Sequence, residues 1–378
     1  MRPRGRHRLV FLLLGSALAC GAPLPSDNTE DDAADDTASI AAGPFESDDY
    51  TRRLGEAAGG PVSVVRIVEV ATAAAERIEE RMDGLAKGMG EPGGWRPFFE
   101  GLRRQTPADE TAVLEAYRAE LARAAAFSED RRLVTSPPPP PEVVILENPS
   151  LRAHFPLALY HEGRFAVTTA SAYGDDPAYL TNHCWVCIPP LAVHEGYPGH
   201  HLAFARMSDA AGQAPAVAEL ARYRPFVEGW ALYAEVLMLE HAYYVDPDRR
   251  LAAWRMVLLR LVRATIDAGL YRGDLEPPEA EEIYRRRLLM TPAAAAAEVR
   301  THLAKPTVKA SYFLGLLQIL ELREAFRAGH PDHLPREFHD RLLGPPAPIP
   351  RIARERFDIE LGPPGEVDLP WPWSPQQQ

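Results

Sequence analysis

One stretch limits what this chain can fold into more than any other: His194-Glu195-Gly196-Tyr197-Pro198-Gly199-His200-His201. Three imidazoles and a carboxylate fall within eight residues, and a proline and two glycines interrupt them. On an ideal helix, His201 would lie on nearly the same face as His194 but about 10 Å further along the axis. That is too far for two ligands sharing an ion at bond lengths of about 2 Å. Pro198 removes a helical N–H and clashes with the preceding turn, and Gly199 loosens the backbone beside it. A metal site here therefore requires the second segment to fold back on the first. Either His200 or His201 can then face the ion with His194, and the spacing does not choose between them.

The third ligand is expected from another helix. In Phe226-Val227-Glu228-Gly229-Trp230-Ala231-Leu232-Tyr233-Ala234-Glu235, the apolar surroundings make a buried carboxylate costly unless it is paired or metal-bound. Glu228 is thus the candidate acid, and Glu235 falls seven residues on, along the same face. A lone helical Glu is ordinarily solvated or salt-bridged and a lone core His ordinarily hydrogen-bonded. The coincidence of His194, Glu195, His200, His201 and Glu228 favours a metal.

With 378 residues, 46% of them hydrophobic, the chain can bury a large core. A net charge of -12 argues against nucleic acid or anionic lipid headgroups as the main partner. Residues 1–19 carry a basic leader (Arg2, Arg4, Arg6, Arg8), an apolar run Leu9–Leu14 and Ala17-Leu18-Ala19 ahead of Cys20. This is the pattern of an export signal, too short in its apolar part for a span of about 20 residues. It also resembles a bacterial lipoprotein signal, which implies a lipid on Cys20 as the membrane anchor; simple secretion is the other outcome. Residues 20–45 are acidic and poor in large apolar side chains, so they read as a flexible tether, and 46–378 as a single domain.

Within that domain, helical periodicity is expected from Pro61 to Gly88, Ala108 to Phe127, Phe226 to Tyr244, Leu251 to Leu270, Pro277 to Leu289 and Ser311 to Arg327. The β-branched run Val143–Leu146, entered from Pro137–Pro141, reads as a strand behind a stiff spacer, and Arg164–Thr169 as a second strand. The fold class expected is mainly α with a small β element. Cys184-Trp185-Val186-Cys187 reads as a local disulfide bracing the approach to His194, or as two reduced buried thiols. A thiol oxidoreductase is the third functional reading, without a βαβ context to support it.

HEGYPGHH followed by EGWALYAE resembles a large bacterial family long catalogued as a domain of unknown function, with a variant zincin motif HExxPGHH. That family is thought to be related to helical zinc carboxypeptidases and thimet-type oligopeptidases. The likeness extends through Arg263–Gly269, Glu298–Gly315 and Glu337–Leu343, and covers roughly Pro61 to Phe357 of what would be a short member lacking the family's earlier helices. It implies a helical zincin-like, gluzincin-type peptidase fold in which Zn²⁺ is held by His194, one of His200 and His201, and Glu228. Glu195 would be the general base and Tyr312 a hydrogen-bond donor to the tetrahedral oxyanion, a buried structural Tyr being the other reading. The substrate implied is a peptide, cleaved in carboxypeptidase-like manner at the cell envelope. The alternative is a non-catalytic zincin-fold lipoprotein that binds a peptide or protein partner. The chain departs from the family at Thr301-His302, Val308, Phe313 and Tyr271, where Arg-Tyr, Gln, Lys and His are common. The lost Arg and Lys are the types that grip a C-terminal carboxylate. Arg263, Arg300, Lys305 and Lys309 are the cations that could take their place.

Overall fold

The computed structural model describes residues 47–148, 152, 157–161, 163–169, 177–212 and 217–366. The signal and Cys20 lie outside the described residues, as does the tether. Fourteen α-helices and one three-stranded sheet are found among the described residues. None of these helices is long and apolar enough to cross a membrane.

Of the first four helices, α2 and α4 form where the sequence supplies both an apolar stripe and a cap. Helix α1 spans Ser47–Ala58. Helix α2 (Val64–Gly88) starts at Ser63, whose hydroxyl accepts from the Arg66 N–H, and buries Ile67, Ala71, Ala74, Ala75, Ile78 and Met82 along one face. It stops at the Gly-Met-Gly cluster. After α3 (Trp95–Leu102), helix α4 (Glu110–Asp130) is capped by Asp109, which accepts from the Ala112 N–H at 2.9 Å.

The sheet is small and serves the site. Its strands are β1 (Glu142–Ile145), β2 (Ala158–His161) and β3 (Arg164–Val167), in the order β1-β3-β2. β1 runs parallel to β3, and β2 pairs antiparallel with it in the register Leu159↔Ala166 and Tyr160↔Phe165. Alternation along β3 sends Phe165 and Val167 into the main core, while Ala166 joins Leu146 and Leu159 in a separate small cluster. The strand expected over Arg164–Thr169 ends two residues earlier, and β2 (ALYH) was too short and mixed to be read from the sequence.

Two short helices then carry the motif: α5 (Ile188–Glu195) and α6 (His200–Ala211). They are followed by α7 (Val217–Arg222), α8 (Arg224–Glu240), α9 (Pro247–Arg272), α10 (Pro277–Leu288), α11 (Pro292–Ala304), α12 (Ala310–Gly329), α13 (Pro335–Leu342) and α14 (Ile349–Ile352). Most residues of α8, α9 and α12 are buried, which makes them the centre of the domain. Helices α8 and α12 approach closely enough that a Cβ on Gly229 would stand 2.6 Å from the Gly315 Cα, and one on Gly315 would overlap the Pro225 carbonyl. Only glycine permits this crossing, and it brings the first turns of α8 and α12 together.

Candidate metal centre

The fold-back that a metal site would require is present. Helix α5 ends at Glu195, and Gly199 then donates its N–H to the Val193 carbonyl at 3.0 Å, turning the chain back over the end of α5. A Cβ at Gly199 would overlap the His194 carbonyl, so no other residue fits there. The Tyr197–Pro198 bond is cis. Trp230 of α8 donates its indole N–H to the Pro198 carbonyl at 2.8 Å and ties the turn to the core.

This geometry places His200, not His201, beside His194. His194, His200 and Glu228 are buried, and their ligand-type atoms lie within 4.8 Å of one another. Glu228 Oε2 stands 3.4 Å from His200 Nε2 and 3.8 Å from His194 Nε2. A tetrahedron with bonds of about 2 Å has edges of about 3.3 Å, and the two edges to Glu228 Oε2, at 3.4 and 3.8 Å, come close to it. His194 Nε2 and Glu228 Oε2 are buried without hydrogen-bond partners. Each such atom is costly unless something else satisfies it.

His201 is accounted for elsewhere. Its Nε2 donates to the Pro139 carbonyl at 2.9 Å and its Nδ1 accepts from the Tyr160 hydroxyl at 3.2 Å, the pattern of a neutral imidazole. Burial lowers its pKa in the same sense. The proline run Pro137–Pro141 is thus more than a spacer. Its carbonyls also accept from the Tyr197 hydroxyl, and so it pins both Tyr197 and His201 away from the ligand cluster.

Around the cluster, charged groups are arranged by helix. Glu235, two turns beyond Glu228 on α8, faces His194 Nδ1 at 2.7 Å through Oε1. Arg260 of α9 donates to the same oxygen at 3.1 Å. Arg260 Nη2 also approaches His194 Nδ1 at 3.3 Å, but both would be donors there, so the shorter His194–Glu235 contact fixes the tautomer. With Nδ1 protonated, the Nε2 lone pair is directed toward Glu228 and His200. Burial, with the Arg260 charge, holds His194 well below the ordinary imidazole pKa. Burial alone would raise the Glu228 carboxyl; the close contact with His200 and the charges of His200 and Arg224 outweigh it and bring it down to about 2. Burial pushes Glu235 up to about 7 against the pull of Arg260 and Arg263.

Glu195 is 1% exposed and accepts from the Tyr160 N–H at 2.9 Å, on the side of β2 turned away from β3. Its other oxygen lies 4.0 Å from His194 Nε2. Tyr312 of α12 is buried with its ring parallel to that of His194, centroids 6.5 Å apart, and with the Arg260 guanidinium over its face. All the sequence-selected side chains except His201 therefore converge. Sequence reasoning missed the roles of Arg260 and Tyr160; Glu235 was visible only as a same-face acid seven residues from Glu228.

Of the proposed carboxylate-gripping cations, Arg263 forms a double contact with Glu298 at 2.9 and 2.5 Å, Lys309 stands 3.5 Å from the same Glu298, and Arg300 is exposed. His302, at the altered Arg-Tyr position, is enclosed by Asp267 at 2.6 Å and the Tyr284 hydroxyl at 2.6 Å. Tyr271 donates to the His302 carbonyl at 2.7 Å. These substitutions form a closed structural network. Cys184 and Cys187 form a disulfide that ends at the first residue of the turn into α5.

Two solved structures of putative lipoproteins resemble this fold. That from Colwellia psychrerythraea has a TM-score of 0.71 at 23% identity over 83% of this chain and 55% of its own. That from Shewanella oneidensis, of unknown function, has a TM-score of 0.70 at 18% identity over 82% of this chain and 59% of its own. This chain therefore spans less than two thirds of either. No curated protein matches the sequence. The bacterial family DUF885, described as of unknown function, matches residues 27–351, and with that coverage of the described fold the chain belongs to this family.

Proposed function

We propose that the protein is a zinc-dependent hydrolase of peptides with a zincin-like site, acting as a carboxypeptidase-like exopeptidase at the cell envelope. The observation that carries this reading is the convergence of His194 Nε2, His200 Nε2 and Glu228 Oε2, two of them buried without other partners, beside the separate carboxylate of Glu195. Two neutral imidazoles and one carboxylate form a donor set that suits Zn²⁺ and leaves one position open. When bound there, zinc supplies Lewis-acid polarisation of water and of the scissile carbonyl.

The residues of the chain would divide the remaining work. Glu195, anchored through one oxygen by the Tyr160 N–H, takes the proton from the attacking water with the other and passes it to the leaving amine. Glu235 and Arg260 keep His194 in one tautomer and orientation. Tyr312, held high in pKa by burial, stays a phenol and can donate to the developing oxyanion. Cys20 as a lipidated first residue would anchor the domain, in keeping with the lipoprotein descriptions of the two similar structures.

The test is cleavage of a mixed peptide library by zinc-loaded protein, read by mass spectrometry, with Glu195→Gln as the control. Loss of single C-terminal residues by the wild type, lowered at least about 100-fold in the variant, is the expected result. If wild type and variant both leave the library intact while binding zinc, the non-catalytic binding module is the correct reading.

A further inference from the structure

We infer that Arg224 and Lys305 form the anion-binding edge of this centre and receive the C-terminal carboxylate of a peptide; the inference rests on the reading of the centre as a peptide hydrolase. Arg224 opens α8 one turn before Glu228, so the two residues lie on the same face of that helix. Lys305 closes α11 and leads through Pro306 toward Tyr312 on α12. The glycine crossing of α8 and α12 sets the Pro225 carbonyl against Gly315, which brings the start of α8 to the turn of α12 that follows Tyr312. The Arg224 charge is felt by Glu228, Tyr312 and Lys305 alike.

What separates this pair from the other cations of the site is the lack of an acidic partner. Arg260 is paired with Glu235, Arg263 and Lys309 with Glu298, and Arg323 with Glu240. Among the described residues, Arg224 and Lys305 are in no ion pair, and Arg224 Nη1 is buried with no hydrogen-bond partner. Burial and the neighbouring Arg224 charge both depress the Lys305 pKa. Glu228, the acid that Arg224 does feel, is turned to the two imidazoles. Two cations drawn partly out of water, each without an acidic partner, are stabilised by an anion from outside. A guanidinium fork beside an ammonium matches a planar carboxylate. Both residues are part-exposed while the ligand residues are buried, so the pair lies between solvent and the centre. A peptide held there by its terminal carboxylate presents its last peptide bonds to Glu195, which accounts for removal from the C-terminus.

The test uses the zinc-loaded full domain carrying Glu195→Gln, so that binding is read without turnover. The probe is a pool of hexapeptides labelled with fluorescein at the N-terminus, with free C-terminal carboxylates, against the same pool amidated, followed by fluorescence anisotropy. The free-acid pool should bind at least about tenfold more tightly. Arg224→Gln and Lys305→Met should each bring that ratio below about threefold, by weakening the free acid alone, with zinc content unchanged. Equal binding of the two pools, no binding of either, or a ratio unchanged in both variants would overturn the assignment. If the ratio behaves as expected but the active wild type cuts neither pool, the carboxylate grip stands and the hydrolase reading falls. If the wild type cuts acid and amide equally well, the reverse holds.

Discussion

Replacing Glu235 by Gln tests whether the groups behind His194 shape the centre. Glu235 is fully buried and its Oε1 holds both His194 Nδ1, at 2.7 Å, and Arg260 Nη2, at 3.1 Å. Two separate losses should follow. First, the Gln amide no longer enforces the Nδ1–H tautomer, and loss of such an outer partner typically lowers metal affinity by about 10- to 100-fold, or about 1.4–2.8 kcal/mol. Second, Arg260 is fully buried and loses the carboxylate that compensates it, which should cost about 3 kcal/mol of metal-free stability. A second replacement, Arg260→Met, separates the two. It removes the stranded charge, so the double variant should regain most of the stability but none of the zinc affinity. Urea denaturation of metal-free protein reads the stability, and competition with a chromophoric chelator reads the zinc affinity. Zinc affinity within about twofold of wild type in Glu235→Gln, or its recovery along with stability in the double variant, would refute the orienting role.

Three further outcomes are expected. His200→Asn should abolish stoichiometric zinc, whereas His201→Asn should keep it and lose about 1–2 kcal/mol of stability through its bonds to Tyr160 and Pro139; elemental analysis of the two side by side decides, and the opposite pattern would exchange their roles. Burial pushes the Glu321 carboxyl, which accepts from the Gly365 N–H at 2.7 Å, up to about 7. The native state then binds the extra proton, so stability should fall as pH rises from about 4.5 to about 7, by an amount of order 1–3 kcal/mol, and Glu321→Gln should flatten that slope in pH-dependent thermal melts. Gly315→Val should disrupt the α8–α12 crossing and cost more than about 3 kcal/mol, measured by the same melts, because the added side chain meets the Pro225 backbone rather than a movable group.

The sequence was most readable where a residue type admits one explanation. A metal site required the chain to fold back at Pro198 and Gly199, and it does turn back there; Glu228, the acid singled out in an apolar helix, lies beside His194 and His200. The long helices followed from their stripes because nearly every apolar position is buried. The choice between His200 and His201 was closed to the sequence because it depends on Pro139 and Tyr160, some 40 to 60 residues upstream, offering His201 an acceptor and a donor. Arg260 was hidden for a similar reason: an Arg in a helix is ordinarily solvated, and its partner Glu235 lies on another helix. Trp95–Leu102 and Pro292–Ala304 were not read as helices, being one short and glycine-flanked, the other a run of alanines without an apolar stripe. The departures at His302 and Tyr271 looked like losses from a substrate site, whereas they close a network with Tyr50, Asp267 and Tyr284.

On the proposed reading, His194, His200 and Glu228 together hold one zinc ion. Elemental analysis of the purified domain lacking residues 1–42, beside His194→Ala and Glu228→Ala, tests it most directly. One zinc per chain in the wild type and none in either variant is the expected result. A wild-type domain that stays free of stoichiometric metal after reconstitution with zinc would contradict it.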